Sequence, residues 1–239
     1  MNAQSFIQKA IENAKKKLNP RFDPIRYNGN NHLYLGVSNP EKHKISAAFK
    51  KQFPDISFDK LISTLNALNK GKTFEDKTIG PMILMKYKNH LINIEPHHID
   101  RWLENLEGWC EIDTLCQSTF DATHLLSDWE TWEIGLIRFS QDKNISKRRA
   151  SLVLLCKPAR TGTDKRICDL ALKNVEKLKH EKDILITKAI SWILRSMIKN
   201  FKSDVQKYLE KNEDSLPKIA VRETKKKLET GKKTSKKSA

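Results

Sequence analysis

Residues 145–199 read ISKRRASLVLLCKPARTGTDKRICDLALKNVEKLKHEKDILITKAISWILRSMIK. Three helices are legible in this stretch, near 145–157, 164–178 and 181–199. Apolar residues return at the three-to-four-residue spacing that keeps one face of a helix dry. Gly162 reads as a stop and Asp164 as a starting cap. Helices this short with tight connections bury their apolar faces by stacking on one another.

The same pattern runs along nearly the whole chain, and alternating β-branched runs are scarce. Phe6, Ile7, Ala10, Ile11 and Ala14 mark a first helix. Arg21–Ser38, with Pro24, Gly29 and Gly36, reads as irregular. Asn39 then reads as an N-cap with Pro40 at the first helical position. Further helices are expected near 57–69, 74–88, 96–106, 110–119, 126–140, 202–212 and 216–229, with Ser57 and Ser215 as starting caps and Gly71 as a stop. About a dozen short helices, at roughly 35–45 residues per pair, predict an all-α fold. Its expected form is an α-solenoid of HEAT-like helix pairs with a concave basic face. A compact orthogonal bundle is the alternative. Residues 1–230 read as a single domain and 231–239 as a disordered Lys-rich tail, which would add non-specific affinity for phosphate.

Composition narrows the function. The chain has 239 residues and a formal net charge of +16, which favours a polyanionic partner, nucleic acid before anionic membrane. No stretch approaches the ~18–20 apolar residues of a membrane span. The start, Met1-Asn-Ala-Gln-Ser-Phe-Ile-Gln-Lys, lacks the apolar run of a signal peptide, so a cytoplasmic protein is expected. Cys110, Cys116, Cys156 and Cys168 show no C-x-x-C spacing and read as reduced core thiols rather than a zinc site or disulfides. His97 and His98 would point about 100° apart on a helix, which suits surface or capping roles better than a metal site. Asp121 and His124 have no activated nucleophile beside them, and phosphate-loop, dinucleotide, zinc-protease and nucleophile-elbow motifs are lacking.

Three clusters remain. In Trp109-Cys110-Glu111-Ile112-Asp113 an aromatic and a carboxylate four apart share one helix face. A π surface with a fixed negative charge can hold a cation or a developing cation. A core tryptophan beside a capping or ion-paired aspartate is the bland alternative. Lys147-Arg148-Arg149 opens a helix that continues Ala150-Ser-Leu-Val-Leu-Leu. Cations at a helix start oppose its macrodipole and are better placed facing an anion such as a DNA phosphate, the alternative being a solvated basic edge. The third cluster, Lys188-Ala-Ile-Ser-Trp192-Ile-Leu-Arg195, presents Trp192 either to the core or to a binding surface.

These clusters occur in an order that resembles the AlkD-like, HEAT-repeat DNA glycosylases of DNA alkylation repair. Tyr34-Leu-Gly-Val-Ser-Asn-Pro40 resembles the family's aromatic-x-Gly-Val/Ile-x-x-Pro segment, and Phe74-Glu-Asp-Lys resembles the charged start of a middle helix. Trp109-Cys-Glu-Ile-Asp113 resembles the catalytic Trp-Asp-x-Val-Asp segment, and Lys147-Arg-Arg-Ala150 the Trp-x-x-Arg-Ala/Thr segment. Lys188 to Arg195 resembles Lys-Ala-Ile-Gly/Ser-Trp-x-Leu-Arg, and Leu228-Glu-Thr-Gly-Lys-Lys a tail seen in some members. The resemblance implies that Asp113 is the catalytic aspartate and that Trp109 and Trp192 flank the lesion's sugar-phosphate. It implies DNA contacts from Arg149, with Arg148 the fallback, together with Lys147 and, in a loosely aligned segment, Tyr27. Departures are Cys110 beside the tryptophan, where many members have Asp; Ser146, where Trp is frequent; and His43, near a common arginine. They bear on substrate range more than on the chemistry.

The implied substrates are N3- and N7-alkylated purines in duplex DNA, with no metal, no cofactor and no obligate protein partner, acted on by a monomer. The positive charge on such a base makes it a good leaving group, and a carboxylate can stabilise the oxocarbenium ion or orient water. The rival expectations are a non-catalytic DNA-structure-binding member of the superfamily, a HEAT-type scaffold for another protein, and an RNA-binding helical protein.

Overall fold

A computed structural model describes residues 2–233. Among these residues there are fifteen helices and no strand, and the only bridge-type pairing is a parallel one between Leu33 and Thr73. The chain divides into two compact units, Met1–Thr119 and Phe120–Ala239.

The first unit holds α1 (Ala3–Ala14), α2 (Pro24–Asn28), α3 (Asn39–Gln52), α4 (Phe58–Asn69), α5 (Phe74–Leu84), α6 (Lys88–Leu91), α7 (Pro96–Leu103) and α8 (Gly108–Ser118). Helix α3 packs on α1 and on α5, and α5 in turn packs on α4 and α8. Ile7, Phe49, Leu61, Ile79, Ile83 and Ile112 are fully enclosed along this line of helices. Buried charged groups inside the unit, Glu75 and Lys42 among them, are hydrogen-bonded, as burial demands. The Glu75 carboxylate accepts the backbone N–H groups of Leu35 and Val37 at 3.0 and 3.1 Å, and Lys42 donates to the Thr78 hydroxyl at 3.0 Å. Burial pushes the Glu75 carboxyl up and the Lys42 ammonium down from their ordinary values.

The second unit holds α9 (Ala122–Ser127), α10 (Trp129–Ser140), α11 (Ile145–Thr161), α12 (Lys165–Leu178), α13 (Ile184–Met197), α14 (Lys202–Asn212) and α15 (Lys218–Thr230). Helix α11 packs on α10, α12 and α13, and α13 packs on α12, α14 and α15. This is the packed helix-pair pattern of an α-solenoid. Helix α11 is enclosed on nearly every side: Leu152, Val153, Leu154 and Leu155 are four consecutive fully buried residues. Each such side chain contributes about 1.5–3 kcal/mol of hydrophobic stabilisation.

Several expected boundaries hold, and others shift for identifiable reasons. Ser57 and Asp164 cap α4 and α12 through their side chains, and Gly162 follows α11 as its C-cap. The cap of α3 is Ser38 rather than Asn39: its hydroxyl accepts the Glu41 N–H, and Asn39 lies inside the first turn. Ser215 does not cap α15. Its N–H and hydroxyl both turn back to the Asn212 carbonyl, and Pro217 precedes the helix. The segment Arg21–Ser38 is not wholly irregular, because Asp23 caps the five-residue α2 with Pro24 in its first turn. The expected helix at 126–140 is two helices broken at Asp128, with α9 capped by Asp121. His98 accepts the Glu95 N–H, a capping role. At the other end, α15 stops at Thr230, and Gly231 at φ 70° donates to the Lys227 carbonyl at 2.9 Å. The tail expected to be disordered falls mainly on residues 234–239, outside the described residues.

Candidate catalytic and nucleic-acid-binding residues

In the first unit, Trp109 and Asp113 stand four apart on α8, as the spacing requires. Trp109 is 37% exposed and Asp113 is half-buried. Trp109 lies against α2. Its indole N–H donates to the Tyr27 carbonyl at 2.9 Å, and the two rings meet edge-on with centroids 5.9 Å apart. Tyr27 is itself 60% exposed and continues through Phe22 and Tyr34 to Phe74, with ring centroids 5.4–5.8 Å apart. The indole N–H is thereby used within the protein, and what Trp109 offers outward is its π surface.

Two glycines bring α2 and α8 together. Gly29 closes α2 at φ +72° and Gly108 opens α8 at φ +65°. A Cβ at Gly108 would lie 2.1 Å from the Gly29 carbonyl oxygen, and one at Gly29 would lie 3.4 Å from Trp109 Cδ1. Both positions disfavour side chains through their left-handed backbone, and Gly108 excludes one on steric grounds as well.

Glu111, inside the same pentad, is fully buried and was not singled out by the sequence reading. Its carboxylate accepts the Glu107 N–H at 2.9 Å and meets His32 Nδ1 at 2.7 Å. Burial raises its carboxyl above the ordinary value, while the Glu107 N–H, His32 and Lys77 pull the other way. Cys110 is half-buried, and its thiol is pushed up to about 11 by burial, with Asp113 and Glu111 adding and Lys42 opposing. All four cysteines are free thiols, three of them buried.

In the second unit, the cations of 147–149 are each turned onto protein acceptors. Lys147 is 3.8 Å from Asp142, and only 8% of its side chain is exposed. Arg148 makes a forked pair with Glu181 at 2.7 and 3.2 Å and also donates to the carbonyls of Asp142 and Lys143. Arg149 is 4% exposed and donates to the Leu185 carbonyl at the start of α13. Trp192, half-buried, lies seven residues beyond Leu185 and so on the same face of α13. The structure thus brings Arg149 onto the helix that carries Trp192. Glu181 and Asp142, which face the cluster, carried no spacing signal.

Among the described residues no group of histidine, cysteine and acidic side chains could hold a metal ion, and no helix is long and apolar enough to cross a membrane. A family model described as DNA alkylation repair enzyme matches residues 3–228.

The chain belongs to the DNA alkylation repair enzyme family.

Its role is thereby in DNA alkylation repair, and binding to DNA follows. A solved structure from Enterococcus faecalis, described as a predicted DNA alkylation repair enzyme, shares the fold at a TM-score of 0.70. It is 18% identical, and the match covers 91% of this chain and 99% of that one. No curated protein matches the chain.

Proposed function

We propose that this member of the family is a monofunctional DNA glycosylase of base excision repair. It hydrolyses the N-glycosidic bond of N3- and N7-alkylated purines, 7-methylguanine and 3-methyladenine among them, in duplex DNA. The observation that carries the reading is the pair on α8: an indole pinned through its N–H, on a tryptophan 37% exposed, one turn from the Asp113 carboxylate.

The chemistry suits that pair. An alkylated purine already carries positive charge, so its departure needs little acid assistance. As the bond stretches, the deoxyribose gains oxocarbenium character. Asp113 stabilises that charge or positions the attacking water. Trp109 and Trp192 pack on the sugar-phosphate and favour neighbouring positive charge. Arg149, with Arg148 only as the fallback, together with Lys147 and Tyr27, are the proposed DNA contacts, which fix register without reading sequence. The net charge of +16 supports a polyanionic partner. The enzyme acts as a monomer through one domain spanning residues 1–230, and the Lys-rich tail adds non-specific affinity. The test is release of free base from duplexes carrying 7-methylguanine or 3-methyladenine, wild type beside Asp113→Asn.

A further inference from the structure

We infer that Glu111 and His32 form a clasp that fixes the Tyr27-bearing segment to the first turn of α8 and thereby positions the Trp109 indole. The inference rests on the glycosylase reading for its effect on rate. Neither residue is assigned contact with the substrate; both are positioning residues.

The segment that carries Tyr27 is short and has little core of its own. Helix α2 has five residues, and Ile25, Tyr27 and Leu33 are all more than half exposed. It is held to α8 at four points. Gly29 meets Gly108 backbone to backbone. The Trp109 indole N–H reaches the Tyr27 carbonyl. The Asn31 N–H donates to the Glu107 carboxylate at 3.3 Å. His32 Nδ1 meets the Glu111 carboxylate at 2.7 Å. The first three are a steric contact, a bond to an exposed indole and an exposed backbone bond. The fourth ends on a side chain with no exposed surface.

Glu111 is suited to this task and to no direct one. It is two residues from both Trp109 and Asp113, so it projects from the other side of α8, about 200° around the helix. One carboxylate oxygen ties the Glu107 N–H that precedes the helix, and the other ties His32. A carboxylate in the first turn also complements the helix macrodipole. A buried carboxylate is retained only where its hydrogen bonds are made, so losing His32 undoes both ends of the clasp. The backbone of His32 is secured in turn by Asn30, a buried residue whose side-chain oxygen accepts the His32 N–H at 3.2 Å. The other charged group facing Glu111 is Lys77, whose ammonium is occupied by the Asn69 carbonyl.

Small displacements of a group packed on a reacting sugar cost large factors in rate. In single-turnover release of 7-methylguanine, Glu111→Leu and His32→Ala are each expected to be about 10–100-fold slower than wild type. Their affinity for the duplex is expected to fall by much less than the rate, since of the proposed DNA contacts only Tyr27 lies on the clasped segment. The double variant is expected to lose no more than either single one. Glu111→Gln keeps an oxygen for the Glu107 N–H and a donor for a neutral imidazole, and is expected to recover most of the rate. A folded Glu111→Leu protein with the wild-type rate would overturn the clasp. If that variant does not fold, His32→Ala carries the test, and a wild-type rate there overturns it equally. Should the wild type release no base, the glycosylase reading fails by itself, and amide hydrogen exchange then reads the clasp. Residues 107–110 are expected to exchange about tenfold or more faster in His32→Ala; unchanged exchange would refute the clasp.

Discussion

The indole N–H of Trp109 donates to the main-chain carbonyl of Tyr27 across 2.9 Å, and their rings meet edge-on at 5.9 Å. An indole with its N–H satisfied acts through its π system. Trp109→Phe should therefore keep a reduced share of base release, whereas Trp109→Ala should lose about 1–2 kcal/mol of transition-state stabilisation, roughly 10-fold in rate. Rates of free-base release from a methylated duplex decide between them. An alanine variant as fast as phenylalanine would remove the π surface from the account.

Gly108 is the tightest point between α2 and α8. At φ +65°, with a Cβ only 2.1 Å from the Gly29 carbonyl oxygen, alanine must both adopt a disfavoured conformation and push the backbones apart. Gly108→Ala is expected to cost more than the ~1–2 kcal/mol of the left-handed conformation alone. Gly29→Ala, with the first side-chain contact at 3.4 Å, is expected to cost about that amount only. Urea unfolding of the two variants measures the difference.

Arg148 and Arg149 are adjacent but differently employed. Arg148 is forked onto Glu181, and Arg149 donates to the Leu185 carbonyl beside the face that carries Trp192. With Arg149 as the phosphate contact, Arg149→Ala should weaken duplex binding at all sequences and flatten the salt slope by about one unit. Arg148→Ala should leave that slope unchanged and cost about 1 kcal/mol of stability, as expected for a partly exposed ion pair. Binding titrations across salt concentrations separate the two. A sequence-selective loss in Arg149→Ala would contradict the phosphate role.

Cys110 is a half-buried, packed thiol. Its titration is pushed up to about 11 by burial. Only the thiolate is nucleophilic, so at pH 8 native Cys110 should react with iodoacetamide roughly 100-fold more slowly than it would at its ordinary value near 9. The rate should climb as pH approaches 11 and reach that of an ordinary thiol after unfolding. Peptide mass spectrometry after timed alkylation checks this. Rapid native labelling at pH 8 would contradict it.

The helical framework was legible because apolar periodicity is strong where helices stack: α11, α12 and α13 lie where the spacing puts them, with ends set by Asp164 and Gly162. What escaped was local competition among caps. Ser38 and Asn39 are both good caps, and the hydroxyl of Ser38 reaches the Glu41 N–H. Helix α2 is too short to show a period, and its existence depends on Asp23, Pro24 and the docking of Gly29. The pairing of Trp109 with Asp113 was legible as an i, i+4 relation. That of Glu111 with His32 was not, since the two are 79 residues apart in sequence. An acid in the first turn of α8 was the one visible hint of Glu111. Glu181 likewise faces Arg148 from 33 residues away.

The central claim is that the Asp113 carboxylate acts on the sugar of a cationic nucleotide. Free 7-methylguanine released from a methylated duplex, separated by chromatography, tests it most directly with wild type and Asp113→Asn side by side. The expected result is release by the wild type, none by Asp113→Asn, and near-equal affinity of both for the duplex. Equal release by the two proteins would contradict the account.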